Sequence, residues 1–287
     1  MRDFTGRRSR LGEHLLKALI YLCAFFTVAL VVAMIGYIFV RGLPSVSWEF
    51  LTSSPSVLKG TIGILPNIVN TLLMIAVSLV FSVPIGIGAA IYLNEYARGG
   101  RLVRIIEFTV ETLAGIPSII YGLFGLMFFV TMMKLQTSII AGALTLTIML
   151  LPTLIRTTQE ALKAVPDSFR EGAIGLGATK WYTIKTVLLP SAKAGIVSAV
   201  ILSVGRIVGE SAALIFTAGI GDKLTGGFVS QLFSSGGTLT VALYTYAMGR
   251  GESADLTFAI ASILVLIVLL INIFTMVLGK EKKTERD

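Results

Sequence analysis

One cysteine and one histidine stand among 287 residues, and charged side chains make up only 14% of the chain. Cys23 alone builds neither a disulfide framework nor a thiolate metal cluster, and His14 has no ligand partners near it in sequence. With one of each, no Ser/His/Asp set and no His/Cys metal site is available. A Gly-x-x-x-x-Gly-Lys-Ser/Thr phosphate loop is missing too, because Gly177-Ala178-Thr179-Lys180 lacks the preceding glycine spacing. The chain is therefore expected to be non-catalytic, to carry no metal or cofactor of its own, and to hydrolyse no ATP alone.

What is abundant is hydrocarbon. Hydrophobic residues make up 55% of the sequence and the mean hydropathy is +0.87, outside the range of a soluble domain and inside that of a polytopic membrane protein. The net charge of +8 raises the question of a nucleic-acid partner. The basic residues instead cluster beside apolar segments, with no aromatics interleaved, so topology accounts for the charge.

Along the chain, residues 1–17 form a basic arm and Ala18 to Val40 an uncharged run long enough to cross about 30 Å of hydrocarbon. That run is too long for a signal-peptide core, and no small-x-small site follows it, so a retained first helix is expected. A loop with Pro44, Trp48, Phe50 and Pro55 leads to a second span, Ile68 to Leu93, with Pro84 inside it. Further spans are expected at about Thr109 to Thr131, Ser138 to Ile155, Ala194 to Gly219 and Leu256 to Leu278, with a tight turn at Lys134 and a polar tail after residue 278. The five later spans form a core over residues 67–278, interrupted by a polar loop at 156–193. With both termini cytoplasmic, 18 of the 24 Lys and Arg fall on the inner side, as the positive-inside bias requires. An all-α protein of six transmembrane helices follows.

Three stretches carry candidate chemistry. Arg206 lies near the middle of the fifth span, where a charge costs about 2.5–3.5 kcal/mol on insertion scales. Glu210 is one helical turn further on and is expected to pair with it; Gly205 and Gly209 have the spacing of a close helix–helix approach. Two readings stay open: a structural intramembrane salt bridge, or a guanidinium lining the path of a tetrahedral oxyanion, with Glu210 as its placeholder. In the third span, Leu113 to Gly122 contains Pro117, which interrupts a helix, with Ser118 and Tyr121 adding hydroxyls at membrane depth; a packing kink and a substrate path are both open. Glu107 and Glu111 are expected near the start of that span, favoured by the helix macrodipole and solvated. Asn94-Glu95-Tyr96 reads as a helix-end surface feature.

The third stretch is the loop EGAIGLGATKWYTIKTVLLP, Glu171 to Pro190. Ser168 with Glu171 three residues later reads as a capping box, and Gly175 and Gly177 permit a turn before a second short helix from Thr179. A compact helix–turn–helix is thus offered to the cytoplasm. Glu171, Gly172, Ala173, Gly177, Val187, Leu189 and Pro190 resemble the EAA loop of ABC-transporter permeases, with Gly172 in place of the usual alanine and Val187 in place of isoleucine.

Together with LAGIPSIIYGLFG and GRIVGESAAL, that loop makes the chain similar to the phosphate-specific ABC permeases. The likeness extends over Asn67 to Leu278 and is less clear around Trp48 to Gly60. It implies an importer permease fold of type I, with Arg206 and Glu210 on the phosphate route and Ser118 and Tyr121 in the family signature. It also implies that Glu171, Gly172, Ala173 and Gly177 touch an ATPase. The partners it implies are a second permease of PstC type, an ATPase dimer of PstB type that binds the ATP, and an extracytoplasmic phosphate-binding protein of PstS type. A permease for molybdate or sulfate, and a stand-alone transporter driven by Glu107, Glu111 or Glu210, are the alternatives.

Overall fold

The computed structural model describes residues 9–55, 63–97, 99–248 and 254–280. Most of the N-terminal arm (1–8), positions 56–62 of the first loop, Arg98 of the short basic loop and the tail past residue 280 lie outside the described residues. Every regular element among the described residues is helical, as a chain in hydrocarbon requires, because only a helix satisfies its own backbone within one segment.

Helix α1 (Ser9–Gly42) is followed by a single 3₁₀ turn and a short helix α2 (Trp48–Thr52), started by the Ser47 hydroxyl accepting from the Phe50 amide at 3.0 Å. Helix α3 (Leu65–Ile91) continues through a π-helical turn, Tyr92–Tyr96. Next come α4 (Arg101–Ala114), α5 (Ser118–Gly125, continued as a π-helical stretch to Met132) and α6 (Ile139–Lys163). An elbow follows, made of α7 (Asp167–Gly175) and α8 (Lys180–Thr183, with a π-helical turn to Leu188), and a short turn α9 (Leu189–Ser191) joins it to α10 (Lys193–Gly209). Helices α11 (Ala212–Thr217), α12 (Phe228–Leu232) and α13 (Leu239–Ala247) precede the final α14 (Ala254–Lys280).

Among the described residues four helices are long and apolar enough to cross a membrane, and up to six spans result when two bent pairs, Arg101–Ala114 with Ser118–Met132 (103°) and Lys180–Ser191 with Lys193–Gly209 (69°), each count as one. Two of the expected runs are broken. The third is bent by 103° between α4 and α5, because Pro117 has no amide hydrogen to donate and pushes Ile116 out of the helical region. Helix α4 is amphipathic: Val110 is buried, while Leu102 and Phe108 are 76% and 68% exposed. The fifth run ends at Gly209, where Glu210 is extended (ψ 122°), and restarts as α11. The fourth continues beyond Ile155 to Lys163, carrying Arg156 and Glu160 on the same helix. Lys134 does stand in a turn, with φ +58°.

The core joins Met74 and Ile75 of α3, Leu146, Met149, Leu150 and Leu154 of α6, Val204 and Ile207 of α10 and Leu214 of α11. Lipid tails are as apolar as leucine, so this core is held by close packing and dispersion rather than by escape from water. Three hydroxyls inside it are satisfied by their own helices: Thr145, Ser203 and Thr217 each donate to the carbonyl four residues back, at 2.8 Å.

At the other end of α3 from the elbow, amide side chains hold the segment before α13. Asn67 Nδ2 donates to the Gly237 carbonyl (2.9 Å), Thr71 Oγ1 accepts from the Leu239 amide (2.9 Å), and Asn70 Oδ1 accepts from Gln231 Nε2 (2.8 Å). Gln231 in turn receives the Thr225 amide and hydroxyl at 2.7 and 2.8 Å. The segment between α11 and α13 is therefore tied to α3 by side-chain hydrogen bonds.

Candidate functional site

Two constellations emerge, one at the helix breaks and one at the elbow. Arg206 is in the last turn of α10, half-buried, and its Nη1 donates to Thr153 Oγ1 at 3.4 Å. Thr153 follows Pro152 inside α6. The expected ion pair with Glu210 is not formed; among the described residues Arg206 pairs with no carboxylate. The reason is local. The helix stops at Gly209, so Glu210 no longer follows Arg206 on one face. Its Oε1 accepts instead from the Ala213 amide at 3.0 Å and caps the start of α11, where free amides favour a carboxylate. Glu210 is 8% exposed, and the carbonyl of Val208 is met by the Thr240 hydroxyl. Both ends of the break are thereby satisfied.

The second break lies alongside. Tyr121 is buried and its hydroxyl donates to the Leu113 carbonyl at 2.8 Å, tying α5 back to the end of α4 across Pro117. Ser118 is the first residue of α5 and is half-buried. Helices α5 and α11 are in backbone contact at Gly122, where a Cβ would stand 2.7 Å from the Ala213 Cα. The breaks at Pro117 and Glu210, and Thr153 after the in-helix Pro152, thus lie around one guanidinium. A cation so placed has N–H donors to offer an oxyanion, and no resident carboxylate competes for them. Thr153 is a polar neighbour that the sequence signalled weakly, as a hydroxyl after an in-span proline.

Gly205 and Gly209 do not support a close approach within this chain: nothing lies within 4 Å of a Cβ built on either. Both are exposed, as is Leu202 at 57%. The face of α10 with Leu202, Gly205 and Gly209, which flanks Arg206, is bare of the described helices.

At the elbow, the expected capping box is replaced. Helix α7 starts at Asp167 behind Pro166, so Ser168 lies within its first turn, and no side chain caps it. The helix ends in a Schellman motif: Gly177, at φ +83°, donates to the Ile174 carbonyl at 2.9 Å and Ala178 to that of Ala173 at 3.0 Å. Thr179 Oγ1 then accepts from the Tyr182 amide and starts α8. Between the arms is a groove of about 590 Å³ lined by Phe169, Ala173, Leu176, Gly177, Tyr182 and Val187. Phe169, Leu176 and Trp181 are 50%, 91% and 58% exposed, and Glu171 and Gly172 are exposed on α7.

Two readings of acidic residues are corrected. Glu107 and Glu111 lie beyond the first turn of α4, which starts at Arg101, so the macrodipole does not favour them. Glu111 pairs instead with Arg156 of α6 at 3.1 Å, and both acids line a cavity of about 290 Å³ with Gln159, Glu160 and Lys163. Glu95 is no loose surface group. It is 8% exposed and pairs with Arg170 of α7 at 3.0 Å.

Broken spans around a half-buried cation, with an exposed apolar elbow on the same chain, define a membrane transport subunit that leans on another protein. The chain belongs to the family of binding-protein-dependent transport system inner membrane components, whose model matches residues 82–280. It is 36% identical over 279 residues to the phosphate transport system permease protein PstA of Pasteurella multocida, covering 95% of this chain and 96% of that one. To PstA of Haemophilus influenzae it is 34% identical over 245 residues, 85% of each chain. A probable ABC transporter permease of Bacillus subtilis, YqgI, is 35% identical over 211 residues, 74% and 72% of the two chains. The likeness within the family is therefore to permeases of PstA type. Among solved structures, an inward-facing MetNI methionine ABC transporter covers 76% of this chain and 95% of its own, at 25% identity and TM-score 0.60. A bacterial alginate ABC transporter covers 97% and 96% at 15% identity and TM-score 0.65, a likeness of fold alone. The architecture is the ABC importer permease fold.

Proposed function

We propose that this chain is one of two permease subunits enclosing the path of an ATP-driven inorganic phosphate importer. The observation that carries the reading is Arg206: a half-buried guanidinium between two helix breaks, unpaired with any described carboxylate, beside the helix face at Gly205 and Gly209 that the described residues leave bare. A second permease, of PstC type, would close that face. Phosphate arriving from a PstS-type binding protein outside would exchange water for the guanidinium fork and the hydroxyls of Thr153 and Ser118. Tyr121 and Glu210 belong to this site as supports, since their polar atoms are engaged at the two breaks. On the cytoplasmic side, Glu171, Gly172, Ala173 and Gly177 would seat in a PstB-type ATPase dimer, the source of the ATP that this chain does not bind. Positive charge beside the inner ends of the spans supports cytoplasmic termini.

The test is phosphate uptake by vesicles containing the complete complex with Arg206→Gln. A lost charged hydrogen bond of about 1.5–3 kcal/mol lowers uptake at limiting phosphate by about 10- to 150-fold. Uptake equal to that of the unaltered complex takes Arg206 off the route. Unlabelled sulfate or molybdate competing as well as phosphate would make the substrate another oxyanion, a reading the guanidinium alone does not exclude. Uptake without any ATPase would favour a stand-alone transporter.

A further inference from the structure

The π-helical turn that ends α3 grips both arms of the elbow. Its hydrogen bond from the Ala97 amide to the Tyr92 carbonyl, 2.9 Å, spans five residues, and the wider turn aims the consecutive Glu95 and Tyr96 at the same neighbour. Glu95 Oε1 accepts from Arg170 Nη2 at 3.0 Å, from Arg170 Nε at 3.3 Å and from Asn94 Nδ2 at 2.7 Å. Arg170 belongs to α7. Its remaining donors hold the carbonyls of Leu162 and Val165 and the Asp167 carboxylate, each at 2.9 Å. Lys180 belongs to α8, and its ammonium stands 5.1 Å from the centre of the Tyr96 ring. One helix end is thus fastened to the first arm by a buried ion pair and to the second by a cation–π contact.

The same helix carries the amide side chains of Asn67 and Asn70 and the hydroxyl of Thr71 at its other end, and these hold the segment from Thr225 to Leu239. Between the two sets of attachments runs a continuous helix of 27 residues, about 40 Å of rod at 1.5 Å per residue. A buried ion pair is weak evidence of stability, since apolar side chains of the same shape would hold the elbow as well. What it adds is a fixed register between two elements that share no sequence neighbourhood. We infer that Glu95, with Tyr96, is the attachment through which the elbow drives α3, and that α3 is the rod by which motion at the ATPase reaches the outer loop. Both are positioning residues, and the inference rests on the reading of the elbow as the ATPase contact.

The experiment uses the complete complex in lipid vesicles with Cys23→Ser as background. Spin labels at Ser168→Cys on α7 and Val80→Cys on α3 report their separation, without nucleotide and after trapping with ATP and vanadate. The expected result is one sharp distance in both states, since elbow and rod move together. With Glu95→Gln, and more so with Glu95→Gln and Tyr96→Leu combined, the distance shifts or broadens on trapping. In the same vesicles phosphate uptake falls about tenfold while ATP hydrolysis continues, so more ATP is spent per phosphate. A distance that already changes in the unaltered complex means that the elbow slides past α3 and overturns the inference. So does a Glu95→Gln complex that matches the unaltered one in distance and in ATP per phosphate. Loss of the assembled complex in Glu95→Gln and in the conservative Glu95→Asp alike makes the pair a folding clasp and overturns it too. An unaltered complex that takes up no phosphate refutes the proposed substrate, while the distances still judge the attachment.

Discussion

Two glycines of the elbow motif, five residues apart, are predicted to respond in opposite directions to the same substitution. Gly177 ends α7 at φ +83°, with nothing within 4 Å of a Cβ added there, so alanine meets no neighbour and its cost is purely backbone. An L-residue held left-handed costs about 1–2 kcal/mol, and escaping that cost breaks the Gly177–Ile174 and Ala178–Ala173 hydrogen bonds that close the helix. Gly172 is equally open but lies inside α7 with ordinary helical geometry. Alanine there favours the helix by about 0.5–1 kcal/mol. Gly177→Ala should therefore lower the population of closed elbow by about 5- to 30-fold, taking a 1.4 kcal/mol difference as tenfold, and Gly172→Ala should raise it. Amide hydrogen exchange over residues 167–183 in the purified complex reads both. ATPase retention through a salt wash reads the consequence for docking. Gly177→Asn, which tolerates the left-handed region, should fall between alanine and the wild type. Equal exchange in the two alanine variants would mean that the turn is not set by backbone conformation, and the account of the elbow would fail.

Two further outcomes follow from the break and from the bare helix face. Glu210→Ala removes the cap of α11 and should cost about 1 kcal/mol, seen as a lower melting temperature of the complex, while Glu210→Gln keeps an acceptor for the Ala213 amide and should melt close to the wild type. Gly205→Leu should leave the chain's own fold intact, because nothing lies within 4 Å of that position, and gain helix propensity of about 1 kcal/mol. It should instead impair co-purification with the second permease, and intact assembly with normal uptake would mean that the face is turned to lipid.

Much of this architecture is legible in the sequence because hydrocarbon imposes a simple grammar. Long uncharged runs give α1, α3, α6 and α14. Arg206 stands out for a similar reason: a charge in an apolar run is costly unless something uses it. The partnership of Arg206 with Glu210 was not legible, because spacing predicts a shared face only while the helix continues, and it stops at Gly209. A glutamate beside a glycine can pair backward with an arginine or forward with free amides, and the forward choice is made by α11 packing on α5 through Gly122. Pro117 announced an interruption but not its 103° angle, which depends on α4 finding a place against α6. Glu95 and Arg170 are 75 positions apart and unremarkable in composition. Only the fold brings them together.

The placement of polar atoms at the breaks explains why such irregular backbone persists at membrane depth. Ending a helix leaves up to four carbonyls and opening another leaves up to four amides without partners, each costly away from water. Here the Tyr121 hydroxyl meets the Leu113 carbonyl, the Thr240 hydroxyl meets that of Val208, and the Glu210 carboxylate meets the Ala213 amide. Side chains that a sequence reading would place on the route are thus spent on holding the breaks open. Arg206, by contrast, has guanidinium donors beyond its one hydrogen bond to Thr153. If an anion is the intended partner, replacing the supports should reduce stability and transport together, whereas replacing Arg206 should reduce transport with the melting temperature unchanged. A melting temperature that falls with Arg206→Gln as steeply as with Glu210→Ala would return the guanidinium to a structural role.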